Sequence, residues 1–320
     1  MTKPRMLVTG GSGYLGRWVV RLARTGWDVT ATYLTHPVGE PGAIWRRLDV
    51  RDEAAVAAMV AEVHPAVIVH TAAANPGDDA GFEATNVIGT RHVACAAGTR
   101  GARLIHISTD VLFDGERGNY VEEDPPTPIT PYGRSKALAE KEVRASGVEA
   151  AIVRTSLIYG WRPEMDRHTR WIVDGLRAGR PVRLFTDELR CPVWVESLAA
   201  AVVELAGMDY TGVLHVAGAQ VLSRYEFGVR LLRFHSLDPS PTCPERSQRV
   251  IPARSRESGL RRPLDCTLDY SCARSLLSTP LPGVDEVLKQ RSRGERGERR
   301  EKPVDRVGTE ALTPRQGAVE

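Results

Sequence analysis

The chain has 320 residues, 42% of them hydrophobic and 26% charged, a composition that supports about two globular lobes and excludes a disordered polyelectrolyte. Its net charge of +3 sits at the far end, where nine Lys/Arg meet six Asp/Glu from Lys289 to Glu320, so the body is formally neutral and offers no basic face to nucleic acid. The longest apolar run, Val193 to Ala206, is broken by Glu196 and Glu204, short of the roughly 20 clean residues of a membrane span; with no leader pattern after Lys3 and Arg5, the cytoplasm is the expected location.

Met6 to Thr9 is the first predicted strand. It leads through Val8-Thr9-Gly10-Gly11-Ser12-Gly13-Tyr14-Leu15-Gly16 into a helical pattern over Gly16 to Thr25, with Val19, Val20, Leu22 and Ala23 on its apolar side. A glycine-rich turn between strand and helix suits a dinucleotide pyrophosphate, since it allows a tight bend, a close backbone approach and free N–H groups at the helix start. Two registers fit: Gly10, Gly13 and Gly16, or Gly11, Gly13 and Gly16. Tyr14 and Leu15 on the first helical turn complete this set of cofactor contacts.

Val29 to Tyr33 is the second strand, and Leu34-Thr35-His36 follows it with no acid to hold both ribose hydroxyls. NADP(H) is therefore favoured, with NAD(H) allowed, and Thr35, His36 and Arg17 are candidate contacts for a 2′-phosphate. Leu48-Asp49-Val50 precedes a helical run from Glu53 to Val63 that stops at His64-Pro65. Asp49 either accepts from the adenine amino group, with Val50 beside it, or caps that helix.

Strands are predicted at Val67 to His70, Leu104 to Ser108 and Ala150 to Arg154, and a later one at Val213 to Val216. The Leu104 strand emerges in Ser108-Thr109-Asp110 at its carboxyl end, where open α/β sheets bind ligands. Thr130-Pro131-Tyr132-Gly133-Arg134-Ser135-Lys136 starts a helix, with threonine as N-cap and proline in the first turn. Tyr132 and Lys136, four apart, share one face. A phenol with an ordinary pKa of about 10 is a poor acid or base at neutral pH, and a neighbouring ammonium is expected to bring it down. Thr109 would hydrogen-bond a substrate carbonyl beside Tyr132, while Asp110 reads equally as a substrate contact or a loop cap.

This alternation predicts an α/β fold, a Rossmann-type doubly wound parallel sheet with a smaller C-terminal substrate-binding lobe. Residues 1–155 form the dinucleotide-binding part, 156–288 mostly the second lobe apart from the strand near 213–217 that returns to the sheet, and 289–320 a disordered charged tail. Helical patterns in the second lobe fall at Trp171 to Ala178, Glu196 to Ala206 and Tyr225 to Phe234, with a loop at Asp238-Pro239-Ser240-Pro241. Cys95, Cys191, Cys243, Cys266 and Cys272 form no Cys-x-x-Cys or Cys/His spacing, so neither a metal site nor a disulfide is expected.

Taken together, these residues resemble the extended short-chain dehydrogenase/reductase superfamily, and within it the dTDP-4-dehydrorhamnose reductase-like branch, over most of residues 5 to 288. The branch pattern STDYVFDG is matched by Ser108-Thr109-Asp110-Val111-Leu112-Phe113-Asp114-Gly115, PYGxSK by Pro131 to Lys136, and Asn-x-x-Gly-Thr by Asn86-Val87-Ile88-Gly89-Thr90. The resemblance implies a catalytic set of Thr109, Tyr132 and Lys136, with the lysine also on the cofactor ribose. It implies that Ala72 and Ala73 line the cofactor and that Arg154 to Gly160 backs the nicotinamide; Asn75 joins Asp110 as a candidate substrate contact. The expected function is reduction of a keto group on a nucleotide-linked 4-keto-6-deoxy sugar, with a homodimer compatible with it. Val111 and Leu157 replace a tyrosine and a tryptophan of the branch, which bears on which sugar is used. A sugar-nucleotide epimerase or dehydratase, and a dinucleotide-binding regulatory subunit like that of methionine adenosyltransferase, are the alternatives.

Overall fold

The computed structural model describes residues 2–237, 239 and 249–301, with 293–301 by backbone alone. Seven parallel strands form the central sheet: β1 (Arg5–Thr9), β2 (Asp28–Tyr33), β3 (Ala43–Arg47), β4 (Val67–His70), β5 (Arg103–Thr109), β6 (Ala150–Thr155) and, after four short strands, β11 (Gly212–Val216). Their spatial order is β11-β6-β5-β4-β1-β2-β3. The order reverses between β1 and β4, which opens a crevice at the carboxyl ends of both strands. Buried on both faces, the inner strands read as nearly unbroken apolar runs; every residue of Val67–His70 is buried.

Helices cover the two faces. On one, α1 (Tyr14–Ala23) and α6 (Val195–Ala206) share a core with Val8, Val69, Ile105 and Val153; on the other, α2 (Glu53–Val63), α3 (Gly89–Arg100) and α4 (Pro131–Ala145) pack Val56, Val60, Val93, Ala97 and Val143 onto Leu7, Ile68 and Leu104. The helix starts follow local chemistry. Asp52 caps α2 by accepting from the Ala55 amide, and Thr130 caps α4 by accepting from the Gly133 amide, both at 3.0 Å. The cap of α2 is thus Asp52 and not Asp49, which leaves Asp49 for other work.

The second lobe is built from short parallel and antiparallel pairs. These are β7 (Ile158–Tyr159) with β10 (Val193–Trp194), β8 (Val182–Phe185) with β13 (Val250–Ala253), and β9 (Leu189–Arg190) with β12 (Leu222–Ser223). Helices α5 (Arg167–Arg177) and α7 (Arg224–Phe234) pack on them through Ile172, Leu176, Leu184 and Leu232. The chain crosses between lobes more than once, because α6 as well as β11 belongs to the central layer.

Two expectations are corrected. The edge strand β3 escapes the sequence reading, since Ile44 is 62% exposed and two of its five residues are arginines, so no apolar period marks it. The charged tail is helical in its first part: a helix runs Val284–Glu301, anchored by buried Val284 and Val287 and by an Arg291–Glu196 ion pair. Cys243, most of the 238–241 loop and residues 302–320 lie outside the described residues. Cys95, Cys191, Cys266 and Cys272 are free thiols. Among the described residues no helix is long and apolar enough to cross a membrane.

A buried ion pair ties α4 to the sheet. Glu140 on α4 and Arg154 on β6, each 1% exposed, meet in a two-pronged contact at 3.0 and 2.9 Å, and Ser108 at the end of β5 donates to the same carboxylate at 2.6 Å. Burial alone would raise the Glu140 carboxyl, but Arg154, Ser108 and Arg144 outweigh it and hold it below its ordinary value. Glu140→Ala leaves Arg154 buried without its counter-charge and is expected to cost about 3–5 kcal/mol in urea unfolding. In the wild type this contribution is present above the ordinary carboxylate pKa and is lost as pH falls through the lower folded value, so the gap between wild type and Glu140→Ala should narrow in acid.

Candidate active site

The turn after β1 bends at Gly10, which has φ +70°. A Cβ there would fall 2.5 Å from the Ala72 amide nitrogen, and one on Gly16 would fall 2.3 Å from the Gly10 carbonyl oxygen. These two positions admit only glycine, the first for the left-handed bend and the second for close helix packing. Gly13 stands between them as the N-cap of α1. Gly11 has φ outside the left-handed region, and a Cβ there would fall 2.9 Å from the Ala31 Cβ on β2. Of the two first glycines in the alternative registers, Gly10 is the one that makes the left-handed bend.

Above this turn lies a cavity of about 390 Å³ at the reversal between β1 and β4. It is lined by Gly10, Gly13, Tyr14, Leu15 and Gly16, by Asp49 and Val50, by Ala72, Ala73 and Asn75, and by Thr109, Tyr132 and Lys136. One expected site residue, Asp110, is not part of the lining. It is 4% exposed, accepts from Ser156 Oγ at 2.6 Å and lies 3.6 Å from Arg190 Nε. Thr35, His36 and Arg17 are also outside the lining; the Arg17 guanidinium donates to the Ser12 carbonyl and to Glu164. Thr155, Ser156 and Ile158 do reach the cavity, in keeping with the expectation for the segment from Arg154 to Gly160. Val111 and Leu157, the two departures from the branch pattern, are not in its wall, and Leu157 packs instead against the cluster of Tyr159, Trp194 and Phe227.

Sequence reasoning missed Arg51, Thr32 and Thr71, all of which line the cavity. Arg51 donates through Nε to both oxygens of Asp49, at 2.9 and 3.0 Å, and through Nη2 to Oδ2 at 2.6 Å. The spacing Asp49-Val50-Arg51 carried that signal, because an acid and an arginine two apart can chelate in a turn.

The floor beneath Lys136 is polar and sealed. Lys136 Nζ donates to the Ile107 carbonyl at 2.7 Å and lies 3.5 Å from His106 Nε2. His106 stacks on His70 with ring centres 5.5 Å apart, and His70 contacts Thr9 Oγ1 at 2.7 Å and Thr90 Oγ1 at 3.0 Å. Burial and then Lys136 depress both imidazoles, His70 to about 3, so both are neutral. Asn86 sits in a π-helical stretch, Phe82–Ile88, and clamps the Ala74 backbone by accepting from its amide at 2.8 Å and donating to its carbonyl at 3.1 Å. Its amide also donates to Ser135 Oγ on α4 at 2.9 Å.

The expected effect of Lys136 on Tyr132 is not seen. The ammonium is turned to the strand, and burial followed by the charge of Asp110 pushes the phenol up to about 12. Burial lowers Lys136 to about 8, with Glu140 opposing. The ring of Tyr132 rests against Phe82 at 5.7 Å between centres.

A second cavity, about 280 Å³, lies in the C-terminal lobe between His168, Trp171, Arg183, Leu184, Phe185, Glu188, Arg224 and Arg262. Glu188 is fully buried and draws in Arg224, Arg190 and Arg262, while burial pushes His168 down to about 3. Among the described residues no group of three or more His, Cys, Asp or Glu side chains is placed to hold a metal ion.

Comparison with known proteins gives the same outline. The family model described as RmlD substrate binding domain matches residues 4–292. The dTDP-4-keto-6-deoxy-D-glucose reductase of Streptomyces niveus is 32% identical over 296 residues, covering 89% of this chain and 96% of that protein. The methionine adenosyltransferase 2 subunit beta of Rattus norvegicus is 28% identical over 83% of this chain and 80% of its own length. Among solved structures, the dTDP-4-dehydrorhamnose reductase of Bacillus anthracis in complex with NADP superposes with a TM-score of 0.76 at 26% identity, covering 90% of this chain and 98% of that one.

Gly16→Ala drives a methyl group into the Gly10 carbonyl and is expected to lower stability by about 1–3 kcal/mol in thermal or urea unfolding. Gly13→Ala meets the same oxygen at 3.1 Å and should cost clearly less. Equal losses in the two variants would contradict the close packing at Gly16.

Proposed function

The chain belongs to the RmlD substrate binding domain family, and from that premise we propose that it is an NADP(H)-dependent reductase of a keto group on a nucleotide-linked 4-keto-6-deoxy sugar. The observation that carries this reading is one cavity shared by the glycine cradle and by Thr109, Tyr132 and Lys136. The cradle suits a dinucleotide, because Gly10 makes the tight bend, Gly16 lets the helix pack close, and Gly13 at the N-cap of α1 carries no side chain where a pyrophosphate would approach the backbone. Gly10, Gly13, Tyr14, Leu15 and Gly16 would hold the pyrophosphate, Asp49 and Val50 the adenine, and Ala72 and Ala73 the wall beside it. Bound there, the cofactor supplies the hydride that reduces the carbonyl carbon.

The side chains then supply the rest. Thr109 Oγ1 donates a hydrogen bond to the carbonyl oxygen and stabilises the negative charge that develops on it. Tyr132 passes its phenolic proton to that oxygen, so a ketone becomes an alcohol and the phenol a phenolate. A phenol raised to about 12 keeps its proton across the working range, which is the form that reduction requires. Lys136, whose ammonium is turned to the Ile107 carbonyl, would hold the ribose. The second cavity supports the nucleotide-linked class of substrate, with Arg183, Arg224 and Arg262 for a diphosphate and the rings of Trp171 and Phe185 for a base. The rat relative favours a second reading, a dinucleotide-binding regulatory subunit without turnover.

With NADPH and dTDP-4-dehydrorhamnose as the first substrate tried, Tyr132→Phe should lower kcat by about 10²–10⁴ and leave NADPH affinity unchanged. If the wild type binds NADPH but turns over no keto-sugar nucleotide, the regulatory reading replaces the enzymatic one. Lys136 loses its charge as pH rises through about 8, so turnover should fall on that alkaline limb. Lys136→Arg, which stays charged, should move the limb to higher pH, and an unmoved limb would assign it to another group.

A further inference from the structure

We propose that Arg47 and Arg51 form the receptor for the 2′-phosphate of NADP(H), an assignment that rests on the dinucleotide reading of the glycine cradle and explains a preference for NADP(H) within it. The carboxyl end of β2, Thr32-Tyr33-Leu34, lines the cavity and carries no acid. A carboxylate there would hold two ribose hydroxyls and repel a phosphate. Cationic groups arrive instead from the neighbouring strand. β3 pairs with β2 in parallel register, Tyr33 opposite Arg47, so the arginine emerges beside the exit of β2. There its Nε donates to the Leu34 carbonyl at 3.2 Å, its only hydrogen bond among the described residues.

Arg51 follows on the loop into α2 and lines the cavity, whereas Arg47 is not part of the lining and reaches it through Leu34, which is. Asp49 occupies its Nε and Nη2, which leaves the Nη1 side of the fork for a second anion. Arg47 and Arg51 bring two positive charges to this end, against Asp49 and Asp78. Asp49 is answered by Arg51 at hydrogen-bond distance and feels Arg47 as well, both of which hold its carboxyl below the ordinary value. Asp78 is the other acid felt by Arg51. Arg46, the next residue on β3, is committed to Glu62 and takes no part. Arg17, the arginine nearest the cradle in sequence, is held by Ser12 and Glu164.

The test is binding to the full chain, by calorimetry or nucleotide fluorescence, with NADPH, NADH, 2′,5′-ADP and 5′-AMP as probes. The wild type should favour NADPH over NADH and 2′,5′-ADP over 5′-AMP. Arg47→Ala and Arg51→Ala should each weaken the phosphorylated member of each pair by about tenfold or more, the worth of a charge-assisted hydrogen bond, and leave NADH and 5′-AMP nearly unchanged. The double variant should also flatten the salt dependence of NADPH binding. Arg46→Ala is the control for loss of a surface charge and should change neither affinity.

A parallel fall in NADPH and NADH affinity would overturn the proposal, because the arginines would then support the adenine or the loop instead. A wild type that prefers NADH would overturn it as well. If no dinucleotide binds at all, the cradle reading fails first, and the phosphate receptor falls with it.

Discussion

The geometry of the site depends on how α4 is seated. Glu140 sits two turns along from Tyr132 and one turn from Lys136, so its buried contact with Arg154 and Ser108 fixes the helix against the ends of β5 and β6. Ser108 and Thr109 pair in register with Arg154 and Thr155, and the cavity-lining residues of both strands are therefore held in one frame with the helix. An apolar pair of similar size could be as stable. It would not fix the rotation of α4 about its axis, and that rotation decides whether Tyr132 faces the cavity.

The same helix is supported from below by groups that a hydrophobic core would exclude. Asn86 joins the Ala74 backbone to Ser135, and Thr90, one turn further on, holds His70. Between them Gly89 leaves room for Val50, whose Cγ2 would stand 2.8 Å from a Cβ at that position. The segment Asn86-Val87-Ile88-Gly89-Thr90 thus serves three separate contacts, to the Ala74 backbone and Ser135 through Asn86, to the Val50 loop through Gly89 and to β4 through Thr90. Its π-helical winding brings Asn86 inward without ending the helix.

The parts of this arrangement that depend on local chemistry could be read from the chain. Thr130 and Pro131 set the start of α4, the apolar runs marked six of the seven sheet strands, and the glycine turn marked the cavity. What could not be read depends on residues brought together from far apart. Which glycine takes the positive φ is decided by the Ala72 backbone pressing on Gly10, so two registers remained open in sequence. The partner of Lys136 is decided by Ile107 and His106 on a strand about 30 positions earlier. Asp110 looked like a substrate contact because of its neighbour Thr109, yet Ser156 and Arg190 claim it in the fold. The placement of Arg47 beside the exit of β2 is invisible until β3 is paired with β2, and β3 itself is a five-residue edge strand without an apolar period.

Buried charge also sets the state in which the site rests. Tyr132 is half-buried in the cavity wall, and desolvation followed by the charge of Asp110 opposes loss of its proton. The neutral His70 and His106 offer no positive charge to reverse this. The resting site therefore holds the phenol, the form that a ketone accepting hydride needs beside its oxygen. The same two effects make that phenol a weaker acid, so its proton passes only to a base as strong as a developing alkoxide. Proton transfer from Tyr132 therefore follows the build-up of negative charge on the substrate oxygen and does not precede it.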